Sequence, residues 1–531
     1  MSHFTSRLQR AGRCLRAIGI GTIIGLVSTC VGAAPLPVDY AETVLHSFSG
    51  FDGARPTGEL VETDDGAVLG TTSSGGTSGN FGTVFRIDAD GRHTVLHEFA
   101  GSDGANPNAG LVRGPDGAYY GTTGAGGAVG LGTVFRIAAD GSGFANLHSF
   151  GDADGAAPAS SLMLASDGNF YGTTFCCGSI STSGSVFRMT PAGVVTNLYR
   201  LRGGVDGSGV YAGLVEGPDG ALYGAALTEG GVDNAGTVFR VTKTGQFSVL
   251  HTFTATGGGS GPSGGLLFGS DGSLFGTTAY AGPAASDFNR GGTVFRLAPN
   301  GSLSVLRGFS GDANGGLLFG GLSRAASGRW YGTTFSGGSG NGVVYSLAND
   351  GSDFRRLYAF RGTPLAANPY AGVLESRTGD LVGTSFAGGQ AGMGSVYRLR
   401  PFTPAPTVSF ASAALDTPPA NLRGDSVTNV GVTLSYAPTS TVTVPVTVGG
   451  SEPASRYRVS PAGSVTFAPG QTTANITVTV TAPALLQCER TIELTLAPTA
   501  TALLGAVPTA TVTIRTPAPL LTRLLCGRQQ P

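Results

Sequence analysis

The stretch Tyr120 to Arg136, "YGTTGAGGAVGLGTVFR", decides the fold, because both of its ends recur down the chain. The phrase "GTVFR" or a close variant starts at Gly82, Gly132, Gly184, Gly236, Gly292, Gly342 and Gly394, at spacings of 50, 52, 52, 56, 50 and 52 residues. The phrase "DGAYYGTT" keeps the same beat, with relatives beginning at Asp65, Asp116, Asp167, Asp219, Asp271, Ser327 and Thr378. A short apolar run such as "AGLV" (Ala109 to Val112) precedes each copy. "TVLHSF" at Thr43 returns as "TVLHEF", "ANLHSF", "TNLYRL", "SVLHTF", "SVLRGF" and "RRLYAF". Four strand-like phrases therefore stand in each of seven units.

Val, Phe, Tyr and Thr fill these phrases, and Gly, Asp, Asn or Pro bounds them, which is strand and turn chemistry. No sustained helical period interrupts them. A four-stranded unit of about 50 residues repeated this often predicts a β-propeller, here with seven blades. Tight "DG", "AG", "TG" and "NG" turns join the first strand to the second and the third to the fourth. The two remaining connections are long and fall on the opposite rim. "TVLHSF" precedes the first full set of three strands, and the last unit stops at "GSVYRLR" (Gly394 to Arg400). The first strand of residues 40–401 is thus expected to complete the seventh blade.

The totals agree with this all-β reading. Glycine makes up 89 of 531 residues without a Gly-X-Y period, so it serves as turn punctuation rather than collagen. Residues 1–33 read as an export signal, with Arg7, Arg10, Arg13 and Arg16 ahead of the apolar "AIGIGTIIGLVSTCV" and a small-residue cleavage site near Ala33. Fifteen apolar residues are short for a membrane span. Cleavage removes four positive charges and no negative one, taking the formal charge from −1 to −5, which gives no encouragement to nucleic-acid binding. The expected product is secreted or periplasmic, without a stable membrane span.

"GTVFR" after "YGTT", over about residues 40 to 400, resembles the GloVer tandem repeat of the choice-of-anchor group of exported bacterial proteins. The resemblance implies export and a propeller-like array, and it brings no catalytic residues. Beyond "RPFTPAPTVSF" the composition shifts to Thr, Val, Ala and Pro, with alternating stretches that suit an immunoglobulin-like β-sandwich over 405–516, followed by a tail at 517–531. "PTVSF", "GSVTFAPGQTTANITVTV" and "ERTIELTL" resemble the Calx-β domain. That family's acidic pair after the strand matching "ITVTV" is replaced here by "TAPALLQ" (Thr481 to Gln487), leaving Glu489 alone. A hard cation needs six to eight oxygens, so calcium is not expected, nor any other cofactor.

Candidate site residues come from the long loops. Asp52, Asp103, Asp154, Asp206 and Asp312 recur there and are candidates for gathering a cation or a sugar, although Asp followed by Gly ordinarily closes a local turn. The insertion "AYAGPAASDFNRGG" (Ala279 to Gly292) departs most from the repeat and carries Tyr280, Asp287 and Arg290. His46, His97, His148 and His251 share one slot on the fourth strand, which a propeller places at the rim, so packing is the expected role. Cys176 and Cys177 are adjacent, and Cys488 and Cys526 complete the disulfide candidates, the simplest pairing being Cys488 with Cys526. A GxGxxG match at Gly259 and a GxSxG match at Gly261 lack the helix each needs. Uniform repeats without an odd catalytic unit favour a non-catalytic binding or scaffold protein for a glycan, peptide or cell-surface partner. The alternative is an extracellular polysaccharide lyase or hydrolase.

Overall fold

The computed structural model describes residues 39–176, 183–231, 233–254, 258–280, 291–416, 425–481 and 490–514. The signal-like segment, Cys177, Asp287, Arg290, Cys488, Glu489 and Cys526 lie outside them. Contacts divide the chain into a unit spanning Val38–Pro404 and a second beginning at Ala405. Among the described residues the only helical element is one 3-10 turn, Ala454–Arg456.

The first repeat shows why the phrases travel together. β1 (Asp39–Ser47) stands apart from it; β2 (Val61–Glu62), β3 (Val68–Thr72), β4 (Thr83–Ile87) and β5 (His93–Glu98) form one antiparallel sheet in that order. β3 carries the end of the "DGAVLGTT" phrase and is buried at every residue, whereas β5 is half-buried throughout except for the exposed Thr94. Gly70 of β3 pairs with Phe85 of β4. A Cβ at Gly70 would sit 2.5 Å from the Phe85 ring, so the glycine is the floor on which the "GTVFR" phenylalanine lies. Gly121 with Phe135, Gly172 with Phe187, Gly224 with Phe239 and Gly276 with Phe295 repeat the arrangement; Gly332 and Gly383 meet Tyr345 and Tyr397 instead.

The paired threonines serve two different contacts. Thr72 Oγ1 lies 2.8 Å from Thr83 Oγ1, tying β3 to β4 at their buried end. Thr71 Oγ1 donates to the Ala109 carbonyl of the next repeat at 2.8 Å. Thr122, Thr173, Thr277 and Thr333 do the same to their successors, and Thr384 donates to the Gly58 carbonyl of the first repeat at 3.2 Å. Such bonds satisfy backbone carbonyls that the apolar packing would otherwise leave without partners.

Apolar packing follows the same circuit. Phe99 and Val84 of the first sheet pack with Tyr119 and Phe135 of the second, and each later sheet packs likewise on its successor. The circuit ends where Val382 and Val396 of the last sheet meet Val68 and Phe85 of the first. β1 pairs antiparallel with Ser395–Phe402, from Asp39 opposite Phe402 to Ser47 opposite Ser395. Glu42 of β1 also accepts bonds from the Tyr358 hydroxyl at 2.7 Å and the Ala366 amide at 2.8 Å. Chain segments more than 300 residues apart are thereby joined. At the tight turns Arg86 meets Asp65 at 2.6 Å and Arg240 meets Asp219 at 2.6 Å, exposed pairs of small individual worth.

The unit from Ala405 holds two five-stranded sheets around one apolar core that includes Val408, Phe410, Val444, Phe467, Ile476 and Ile492. In Ser426–Leu434 the residues facing this core alternate with more open ones, as a sheet covered on one face requires.

Candidate functional site

The repeated loop aspartates turn back onto their own repeats. His46 Nε2 lies 2.8 Å from Asp52 Oδ2, His97 Nε2 2.9 Å from Asp103 and His148 Nε2 3.1 Å from Asp154. Burial opposes ionisation of Asp52, but the Ser49 amide and hydroxyl and His46 outweigh it and hold its pKa below the ordinary carboxylate value. Asp206 takes the Tyr199 hydroxyl at 2.8 Å and Arg202 Nε at 2.9 Å, and Asp312 takes the Asn314 amide at 2.7 Å. Asp52, Asp103, Asp154 and Asp206 fasten their loops to the fourth strand, whereas Asp312 closes a turn within its own loop.

One cluster among the described residues has metal-ligand composition: His46, Asp52 and His93 place ligand atoms within 4.8 Å of one another. The two imidazoles are stacked, with centroids 3.7 Å apart and planes 5° from parallel. Lone pairs in parallel planes do not converge on an ion about 2.0–2.1 Å from both nitrogens. The equivalent slots stack His97 on Phe144 at 3.5 Å and Tyr199 on Phe247 at 4.1 Å. The His46–His93 contact is the same packing joint between consecutive repeats.

The larger feature is a cavity of about 1050 Å³ to which every repeat contributes the segment before its first strand. In that segment the residue after the conserved turn is Thr57, Asn108, Ala159, Tyr211, Ser263, Phe319 and Tyr370 in successive repeats. The residue following the paired threonines adds Ser73, Phe175 and Phe386. The wall is consequently polar at the first two repeats and mostly aromatic from the third to the seventh. Phe175 lies 4.5 Å from Tyr211, and Phe319 stacks on Tyr370 at 4.9 Å. Burial, reinforced by nearby Tyr211 and Tyr280, pushes the Tyr370 phenol up to about 12, so it is a hydrogen-bond donor at neutral pH.

Two charged side chains line this cavity among the described residues, Arg55 and Glu59, both from the first repeat. Glu59 occupies a slot that is Gly110, Ser161, Gly213, Gly265, Gly321 and Gly372 elsewhere. The residue is exposed, and it lines the cavity. Desolvation by the surrounding protein raises its pKa above the ordinary value. An added Cβ at Gly372 would lie 3.4 Å from Glu59 Oε1, so the carboxylate leans towards the seventh repeat and its Tyr370. Arg55 has φ of 54°, a left-handed backbone that bulky residues seldom adopt, and its guanidinium lies 5.4 Å from the Phe386 ring centre.

Of the residues singled out from the sequence, Tyr280 lines the cavity, whereas the five loop aspartates do not. Cys176 is bonded in a disulfide whose partner lies outside the described residues. Glu59, Arg55, Tyr211, Phe319, Tyr370 and Phe386 were not anticipated. The signal for Glu59 was present in "PTGEL", once set against "PNAGL", "PSGGL" and "PYAGV".

Solved structures similar to this chain include the extracellular domain of a one-component system from B. thetaiotaomicron, 10% identical with a TM-score of 0.46, over 92% of this chain and 59% of that one. The chain thus spans less than two thirds of that domain's length. The Calx CBD1 domain in its apo form is 15% identical with a TM-score of 0.19, over 22% of this chain and 100% of that one. A luciferin-regenerating enzyme is 10% identical with a TM-score of 0.35, over 69% and 95% of the two chains. No curated protein matches. No helix among the described residues is long and apolar enough to cross a membrane. The Gloeobacter/Verrucomicrobia repeat model matches residues 36–231 and 262–444, and the chain belongs to that repeat family.

Proposed function

We propose that residues 40–401 form a seven-bladed β-propeller, exported by the signal at 1–33 and followed by a Calx-β-like sandwich at 405–516, and that this protein binds an extracellular glycan in its central cavity without transforming it. The closed circuit of seven sheet interfaces supports the propeller. The observation carrying the binding reading is the divided wall, which joins an aromatic sector of Tyr211, Phe319, Tyr370 and Phe386 to a polar sector of Thr57, Ser73, Asn106 and Asn108. An oligosaccharide presents apolar C–H faces and a rim of hydroxyls, which such a wall complements.

Hydrolysis of a glycosidic bond ordinarily uses two carboxyl groups flanking the bond, and Glu59 is the single carboxylate among the described lining residues. That favours binding over turnover. A glycan array probed with the intact chain and with Tyr370→Ala tests the reading. The expected result is a defined glycan set whose signal falls at least tenfold in the variant. An empty array, or degradation of a bound polysaccharide, refutes it.

A further inference from the structure

Among the described residues Glu59 makes no ion pair and its carboxylate receives no hydrogen bond from the protein; it is exposed, on the wall of the cavity. A carboxylate left to water on a cavity wall is free to pair directly with a cation that enters, at the cost only of displacing that water. Packing does not call for it here, since six equivalent slots hold glycine or serine. Arg55, in the same repeat, lies over Phe386 instead of pairing with Glu59. The aromatic sector therefore already receives one cation on a ring face, and Glu59 leans towards that sector beside Gly372.

We infer that the cavity selects a ligand carrying a protonated primary amine, with Glu59 as its counter-ion and the aromatic sector as its cation-binding face. Resting on the glycan reading above, this names the ligand class as an amino sugar with a free amine. A carboxylate opposite an ammonium, walled by aromatic faces, holds the cation by charge-assisted hydrogen bonds and by attraction to the rings. A metal ion fits less well, since one carboxylate falls far short of the oxygen set a hard cation needs. Arg55, Tyr211, Tyr280 and Tyr370 are the other titratable residues on the described lining, and none supplies Glu59 with a second negative charge at neutral pH.

The probes are a β-1,4-linked glucosamine tetramer and its fully N-acetylated counterpart, titrated calorimetrically into the intact chain. The free-amine oligomer is expected to bind at least tenfold more tightly. Glu59→Gln keeps shape and hydrogen bonding but removes the charge; it should abolish that advantage while changing the acetylated oligomer's affinity less than threefold. In the unaltered protein the advantage should grow as pH rises through the elevated Glu59 pKa, with proton release on binding, and fade once the ligand amine deprotonates. This second readout needs no variant to fold. Equal affinity for both oligomers with no such pH dependence overturns the inference and leaves glycan binding standing. Binding of neither oligomer, together with an empty glycan array, overturns both.

Discussion

Replacing Tyr345 by Phe should make the repeat unit more stable. Tyr345 stands where the first five repeats have Phe85, Phe135, Phe187, Phe239 and Phe295, and it is fully buried against Gly332 and Trp330. Its hydroxyl has no hydrogen-bond partner, and burial drives its pKa far above the usual phenol range. A hydroxyl taken from water without a partner costs about 1–3 kcal/mol. Removing the oxygen leaves a small void, and at roughly 24 cal/mol per Å³ this returns a few tenths of a kcal/mol to the cost side. The net gain is then about 1–2 kcal/mol. Trp330 is the only tryptophan and is 1% exposed in the sixth sheet, so its fluorescence in a urea titration follows this unit without interference from the other. Gly332→Ala supplies the opposing arm. Its Cβ would sit 2.3 Å from the Tyr345 oxygen, so it should destabilise by about 1–3 kcal/mol, and less in the Tyr345→Phe background. A loss of stability in Tyr345→Phe refutes the reasoning, because it means that the hydroxyl is bonded, for example to a buried water.

Two further predictions concern the closure and have opposite pH signs. Glu42 has a raised pKa because burial outweighs its bonds from Tyr358 and Ala366, so its contribution is fully present below its unfolded value and is lost as pH rises through the folded one. Glu42→Gln should flatten the fall in stability across that mildly acidic window, measured by Trp330 fluorescence; an unchanged slope excludes Glu42 as its source. Burial, with the His46 charge adding to it, pushes His93 down to about 4, so its contribution is present above pH 6.5 and is lost as pH falls towards 4. His93→Phe should remove that acid sensitivity and restore the ring-on-ring joint seen at Phe144, and a steeper acid loss in this variant contradicts the packing account.

How far the sequence discloses this architecture depends on which residues answer to local rules. The "DG" turns are legible because Gly66, at φ of 82°, holds a backbone conformation that glycine alone enters freely. The pairing of "YGTT" with "GTVFR" is legible because one phrase supplies the floor for the other's aromatic ring. The bulge in every fourth strand is not. Val84 faces His97 while Phe85 faces Val95, so Leu96 is an extra residue that "TVLHEF" presents as ordinary alternation. Of the apolar run "AGLV" only Val112 joins the sheet, opposite Tyr120, while Ala109 and Gly110 border the cavity and Leu111 enters the core. The cavity wall obeys no local rule at all. Its composition emerges only when one slot is followed through seven repeats, since chain closure brings together side chains separated by some 50 residues each.

This distinction also tells where function sits in a repeat protein. The slots that must be alike are those that build joints: the glycine under the phenylalanine, the threonine reaching the next repeat, and the residue stacked on its neighbour. Substitution there is limited by packing, as the small departures at Tyr345 and His93 show. The slots bordering the cavity range from Thr57 and Asn108 to Phe319 and Tyr370, and their contacts between repeats range with them, from the Thr57 hydroxyl donating to the Asn108 carbonyl to Phe319 stacked on Tyr370. Variation that no single joint geometry demands is what the proposed binding role calls for, since each repeat would then present a different side chain to the ligand. Glu59 is the extreme of that series, a charge placed where its six counterparts carry none.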